Sequence, residues 1–206
     1  MFGKPGRPRE DGFRRRWEIY MSVAPLIEKV GARGLTMRQA GAAAHMSLGG
    51  MYHYFGSKRE LVLYGVSSEA LQGLCEEFHP QLAQLKGTDP HAHLAAFLDW
   101  LAWVVPTCRP ALLAAIELGA GPALDTVEAA MNVTLHQFVR TVRAVRTDMA
   151  DAEAETLDRA LRHTVLGAML DRSATPSDLR NELRSIVEMR LLAHPRGGWR
   201  QAAASV

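Results

Sequence analysis

The chain has 206 residues, of which 48% are apolar and 22% charged, with a formal net charge of +2 and two cysteines. That apolar fraction is ample for a buried core, while Cys75 and Cys108, in separate predicted helices, exclude a disulfide framework and fit a reducing cytoplasm. The longest apolar run, Ala95 to Pro106, carries Asp99 and is too short to span a bilayer, and no apolar leader follows the basic N-terminus, so a soluble cytoplasmic protein is expected.

The small net charge hides an asymmetry. Residues 1–60 hold eleven Lys/Arg against five Asp/Glu, a balance of +6, and residues 61–206 hold thirteen against seventeen, a balance of −4. A basic head on a mildly acidic body suits a polyanion partner, although Arg7, Arg9 and Arg14 to Arg16 would equally make a solvated basic tail.

Apolar residues recur at three- and four-residue spacing and alternation with period two is scarce, so the chain reads as all-α with about nine helices. The first helix covers about Phe13 to Val30, with Pro25 bending it and Gly31 ending it. Short helices follow Thr36 and Ser47, and a longer fourth one is predicted from about Lys58 to Phe78. Further helices are expected over about 91–105, halted by Pro106, then 110–118, 124–146, 152–171 and from Pro176 to near His194. The expected division is a disordered basic arm over 1–10, a helix-turn-helix domain over 11–57, a larger helical ligand-binding and dimerisation domain over 58–194, and a disordered tail over 195–206.

The stretch from Gly34 to Lys58 carries the most chemistry. Thr36 followed by Gln39 is a capping box, and Ser47 caps a second helix eleven residues later. Ala40 to Ala44 are all small, which lets two short helices cross closely, with His45 and Met46 forming the turn. On the second helix Met51 and Phe55 are four apart and point inward, leaving Tyr52, His53 and Ser47 to Gly50 outward. Aromatic rings and an imidazole on the outside of so short a helix suit phosphates and base edges, and Lys58 suits a phosphate.

The order Gly-x-x-Gly-Leu-Thr, then Ala-x-x-x-Ser-x-Gly-x-x-Tyr-x-Tyr-Phe-x-x-Lys, resembles the DNA-binding head of TetR-type (tetracycline-repressor-like) regulators over about residues 15 to 64. The resemblance implies a homodimer that binds a palindromic operator as a repressor and is released by a small molecule. It implies phosphate contacts from Thr36, Tyr52 and Lys58, and places Ser47, Leu48, Gly49, Gly50 and His53 nearest the bases; Arg38 completes the DNA-facing set. Three positions depart from the family pattern: Ala40 in place of a bulky aliphatic, Gly41 in place of alanine, and His45 in place of the turn glycine. With Gly49-Gly50 and Leu48 offering few hydrogen bonds to bases, specificity is expected to lean on DNA shape and on the arginines of the arm.

In the body, Trp100 and Trp103 are three apart on a helix apolar nearly all round, and either pack as core or line a cavity for an aromatic or polycyclic ligand. Glu117, Asn132, His136 and His163 are candidate polar groups beside it, and Met131, Phe138 and Met169 candidate apolar walls. Stripes at Leu157, Leu161, Thr164, Val165 and Ala168, and at Leu179, Leu183, Ile186, Val187, Met189 and Leu191, suggest a two-fold four-helix interface through about 152–171 and 176–193. The fourth helix, joining head to body, is the expected allosteric lever. No phosphate-cradling glycine loop, nucleophile elbow or His-Glu-x-x-His occurs, so neither an enzyme nor a cofactor is expected. Two alternatives stand beside the ligand-responsive regulator: a metal-responsive one using Cys75 and His79, whose local set falls short of three ligands, and a helical interaction module with a degenerate head.

Overall fold

The computed structural model describes residues 9–84 and 90–192, and every regular element among them is helical. In order these are α1 (Arg9–Gly34), α2 (Met37–Ala43), α3 (Leu48–Tyr54), α4 (Lys58–Leu63), a 3-10 turn (Tyr64–Val66), α5 (Ser68–Gln84), α6 (Pro90–Glu117), α7 (Gly121–Val145), α8 (Asp151–Leu170) and α9 (Pro176–Leu192). The all-α fold with a short-helix head follows the predicted punctuation. The arm and tail expected to be disordered fall almost wholly outside the described residues.

The helices group into two units. One holds the described residues through Leu74 together with Thr107–Val127, and the other holds Cys75–Pro106 with the described residues from Glu128 onward. α5, α6 and α7 each contribute to both.

In the first unit Ile19, Tyr20, Val23 and Ile27 of α1 are buried, as are Leu35, Met51, Phe55, Leu61 and Val66. Pro25 is exposed and the helix passes through it; the break comes at Gly31, whose φ of 74 and ψ of 168 are open only to glycine. The predicted single helix over Lys58–Phe78 is two helices. The 3-10 turn interrupts it, and the Ser67 hydroxyl accepts from the Ala70 amide at 3.2 Å to start α5. Val62, Tyr64, Gly65 and Val66 are all buried at this interruption.

The opposite correction applies at Pro106 and Pro110. The sequence predicts a halt; the structure carries one helix, α6, through both. A proline inside a helix costs about 3 kcal/mol. Leu101, Val104, Val105, Cys108, Ala111 and Leu112 flank the pair and are all buried. At roughly 1.5–3 kcal/mol per large apolar side chain, burial outweighs both losses.

In the second unit Phe97 meets Phe138 edge to face at 5.0 Å between centroids, and Phe78 stacks on Trp100 at 4.6 Å. α8 and α9 form a hairpin. Its apolar stripes, Leu157, Leu161, Val165 and Ala168 with Leu179, Leu183, Val187 and Leu191, are buried within one protomer. Of the other residues of the predicted stripes, Thr164 and Ile186 are half-buried and Met189 is exposed. Arg146, buried at the end of α7, ties the hairpin by pairing with Glu153 of α8 and Asp148, and donates to the Arg190 carbonyl of α9 at 2.7 Å.

A close approach at the 3-10 turn gives a test. A Cβ on Gly65 would overlap the ring and hydroxyl of the fully buried Tyr20. Gly65→Ala should therefore cost about 1–3 kcal/mol, read as a lowered thermal melting point; an unchanged melt would show that Tyr20 yields freely.

Candidate nucleic-acid interface

α2 and α3 are short because each is bounded by a cap and a turn. The Gln39 amide donates to the Thr36 hydroxyl at 3.2 Å while the Gln39 side chain accepts from the Thr36 amide at 2.9 Å, the reciprocal box that its sequence predicts. The Ser47 hydroxyl accepts from the Gly50 amide at 3.0 Å to start α3, and Phe55 ends it. Between them the chain reverses at His45, whose φ of 53 lies in the left-handed region that a non-glycine residue enters at a cost. The Met46 amide then donates to the Gly41 carbonyl at 2.8 Å.

Gly41 makes that reversal possible. A Cβ there would sit 2.8 Å from the Met46 carbonyl oxygen and 3.3 Å from Met51 Cγ. Its lost helix propensity, about 1 kcal/mol, is therefore exchanged for a closer crossing of α2 and α3. Ala40 is wholly buried at the same crossing.

With Met51 and Phe55 buried, α3 turns its other face outward. Leu48 is 43% and Tyr52 51% exposed, and Ser47, Gly49 and His53 are exposed while Gly50 is half-buried. A Cβ on Gly49 would meet nothing within 4 Å, so no contact inside the protein requires glycine there. Thr36 and Arg38 are exposed beside α2. Lys58 opens α4, after the Ser57 cap, and its ammonium donates to the Arg33 carbonyl at 3.1 Å, leaving two further donors. All nine residues predicted to face DNA thus belong to one unit, and eight of them are on or beside α2 and α3.

Sequence reasoning missed Arg16. Counted with Arg14 and Arg15 as a basic run, it instead turns inward, pairs with Glu60 and Glu69, and lies over the rings of Phe55 and Tyr64 at 4.9 and 4.6 Å. Helical spacing held the signal: Arg16 shares a face with the buried Tyr20 and Val23, four and seven residues on.

The candidate ligand residues differ in burial. Trp100 is half-buried in the aromatic cluster, Trp103 is 45% exposed, Met131 is half-buried and Met169 buried. His136, Asn132 and His163 are exposed, and Asn132 accepts from Arg162. Glu117 lies in the other unit. Its carboxylate accepts the Arg33 amide at 3.0 Å and the Ala32 amide at 2.8 Å, and these bonds hold its carboxyl below the ordinary 4.5. The side chain of His79 lies outside the described residues. No group of three or more His, Cys, Asp or Glu that could hold a metal occurs among the described residues. Burial raises the Cys75 thiol, which disfavours the thiolate a metal needs. No helix among the described residues is long and apolar enough to cross a membrane.

Two capped short helices crossing at small residues, with the second presenting its outer face, define a helix-turn-helix DNA-binding head. Residues 24–64 match the family model for bacterial regulatory proteins of the tetR family. No protein of curated function matches by sequence. Solved structures match over most of the chain, among them a TetR transcription regulator from Haloarcula marismortui (TM-score 0.60, 20% identity, 85% of this chain and 95% of that one). So do the TetR family regulator PfmR of Thermus thermophilus (0.58, 20%, 82% and 97%) and the ketosteroid transcriptional regulator KstR2 of Mycobacterium tuberculosis (0.55, 18%, 86% and 93%). The chain has a TetR-type DNA-binding head and the fold of the TetR-family transcriptional regulators.

The left-handed residue gives a test of the turn. His45→Gly should stabilise the head by about 1 kcal/mol, because glycine takes φ of 53 without a Cβ penalty. A thermal melt that falls on this substitution would show that the His45 side chain makes a contact worth more than the strain.

Proposed function

We propose that the chain is a ligand-responsive repressor that binds a palindromic operator as a homodimer. The observation that carries the reading is the outer face of α3, where Leu48, Gly49, Tyr52 and His53 stand clear of the protein between the Thr36 cap and Lys58. Thr36, Tyr52 and Lys58 contact phosphates, and Ser47, Leu48, Gly49, Gly50 and His53 approach base edges, with Arg38 at the flank. Leu48 offers apolar contact to a thymine methyl, so direct hydrogen-bond readout is sparse and DNA shape carries much of the specificity.

Two heads must stand about 34–36 Å apart to meet successive major grooves, which calls for a dimer. With most residues of the α8 and α9 stripes buried inside the protomer, the dimer uses what the hairpin leaves exposed. Leu170 is 53% and Met189 63% exposed, and the exposed Gly167 has open space where a Cβ would be. A glycine inside a helix costs about 1 kcal/mol against alanine, and close approach of a partner helix gives that cost a use. The effector is apolar or aromatic, in keeping with the aromatic composition of the second unit around Phe78, Phe97, Trp100 and Phe138. It weakens DNA binding by its differential affinity for the two spacings of the heads, and by no more.

Selection of fragments from the source genome by the purified chain, with Tyr52→Ala plus Lys58→Ala as control, tests the DNA reading. An enriched palindrome lost in the double variant is expected; no enrichment by a folded dimer would refute it. Sedimentation tests the dimer face separately. Leu170→Lys plus Met189→Lys should give a folded monomer, and an unchanged dimer would place the interface elsewhere.

A further inference from the structure

The end of α6 carries an acid where helix electrostatics disfavours one. Glu117 is the last residue of α6, and Gly119, at φ 59, closes the helix as its amide donates to the Ile116 carbonyl at 3.1 Å and the Ala120 amide to the Ala115 carbonyl at 2.8 Å. That end carries the negative pole of the helix dipole, so a carboxylate there is repelled.

What offsets the repulsion is a second broken helix. Gly31 unwinds α1, and the turn that follows, Ala32–Gly34, begins with amides that have no helical acceptor. The Glu117 carboxylate takes the amides of Ala32 and Arg33. The Arg33 guanidinium donates back to the Glu117 carbonyl at 3.1 Å, placing a cation at the end of α6. A Cβ on Gly31 would lie 3.0 Å from Glu117 Oε2, so glycine also clears the approach. The Arg33 carbonyl, in turn, accepts from Lys58.

We propose that Glu117 is a positioning residue for DNA binding, fixing the stretch from Ala32 to the Thr36 cap and, through the Arg33 carbonyl, aiming the Lys58 ammonium. The inference rests on the DNA-binding reading above. Two of the three phosphate-facing residues, Thr36 and Lys58, take their place from the backbone that Glu117 holds. The third, Tyr52 on α3, has no bond to this network and serves as an internal control. Near Glu117 both Arg33 and Lys58 also favour the ionised carboxylate, so the cluster is mutually reinforcing.

The experiment uses the full chain and a short duplex enriched from a random pool by the unaltered protein. Glu117→Gln keeps the side-chain shape and removes the charge. Binding measured by fluorescence anisotropy should weaken about tenfold, and the loss should shrink to about threefold, the share carried by Thr36, when Lys58 is already alanine. Against a Tyr52→Ala background the loss should stay at its full size. Amide hydrogen exchange at Ala32 and Arg33 should speed up. A Glu117 that merely supports the fold gives equal losses in both backgrounds, and that pattern, or unchanged affinity, overturns the inference. Should Glu117→Gln fail to fold, Arg33→Ala removes the returning bond, and the same non-additivity with Lys58→Ala is expected on a smaller scale. An unaltered chain that selects no duplex refutes the DNA reading itself; one that selects a duplex confines any failure to Glu117.

Discussion

The guanidinium of Arg16 lies over the rings of Phe55 and Tyr64, which meet edge to face, and pairs with Glu60 and Glu69. Those four partners come from four places in the chain: the residue that ends α3, the 3-10 turn, α4 and α5. One planar cation thereby fixes the exit of the outward-facing helix and spans the interruption that splits α4 from α5. A lysine ammonium would lack the guanidinium's several donors in a fixed plane, which here serve two carboxylates while the cation lies over two rings. The Tyr64 hydroxyl adds a bond to Glu69 at 3.2 Å, and burial with the neighbouring carboxylate raises its pKa, keeping it a donor. The interruption is thus rigidly bridged rather than loose, and the positions of Tyr52 and Lys58 inherit that rigidity.

Local chemistry is what the sequence makes legible. The box at Thr36–Gln39 and the caps at Ser47 and Ser57 each close within four residues, so they are visible in the chain without the fold. The outward set on α3 follows from the inward pair Met51 and Phe55 by helical spacing alone. What stayed hidden depends on partners far along the chain. Pro106 and Pro110 signal a break by local rules, and only the burial of residues on both sides carries α6 through them. Glu117 reads as a loose polar group until Ala32 and Arg33, 85 and 84 residues away, offer it their amides. The apolar stripes of α8 and α9 have the spacing of an interface, and spacing cannot say whether the partner is the neighbouring helix or a second copy.

The three departures from the family pattern, Ala40, Gly41 and His45, form a compensated set rather than three separate defects. Judged singly, Gly41 weakens a helix, Ala40 gives up packing volume and His45 strains a turn. Together they bring the crossing of α2 and α3 closer: with no Cβ on Gly41, the Met46 carbonyl occupies space that alanine would claim, and wholly buried Ala40 lets the facing surface settle. The chain between must then reverse tightly, which the left-handed His45 and the 2.8 Å bond from Met46 to Gly41 accomplish. The strain at His45, about 1–2 kcal/mol, is of the same size as the gain from one more well-packed apolar contact, so the turn can bear it. Met51, fully buried against the same glycine, then fixes the rotation of α3 and hence which residues it shows to solvent. The set has a consequence for evolution of the head: restoring alanine at position 41 alone would push Met46 and Met51 outward and rotate the outward face. Position 41 is coupled to Met46 and Met51 through these contacts, so alanine there calls for a matching change, whereas glycine at position 45 only relieves strain.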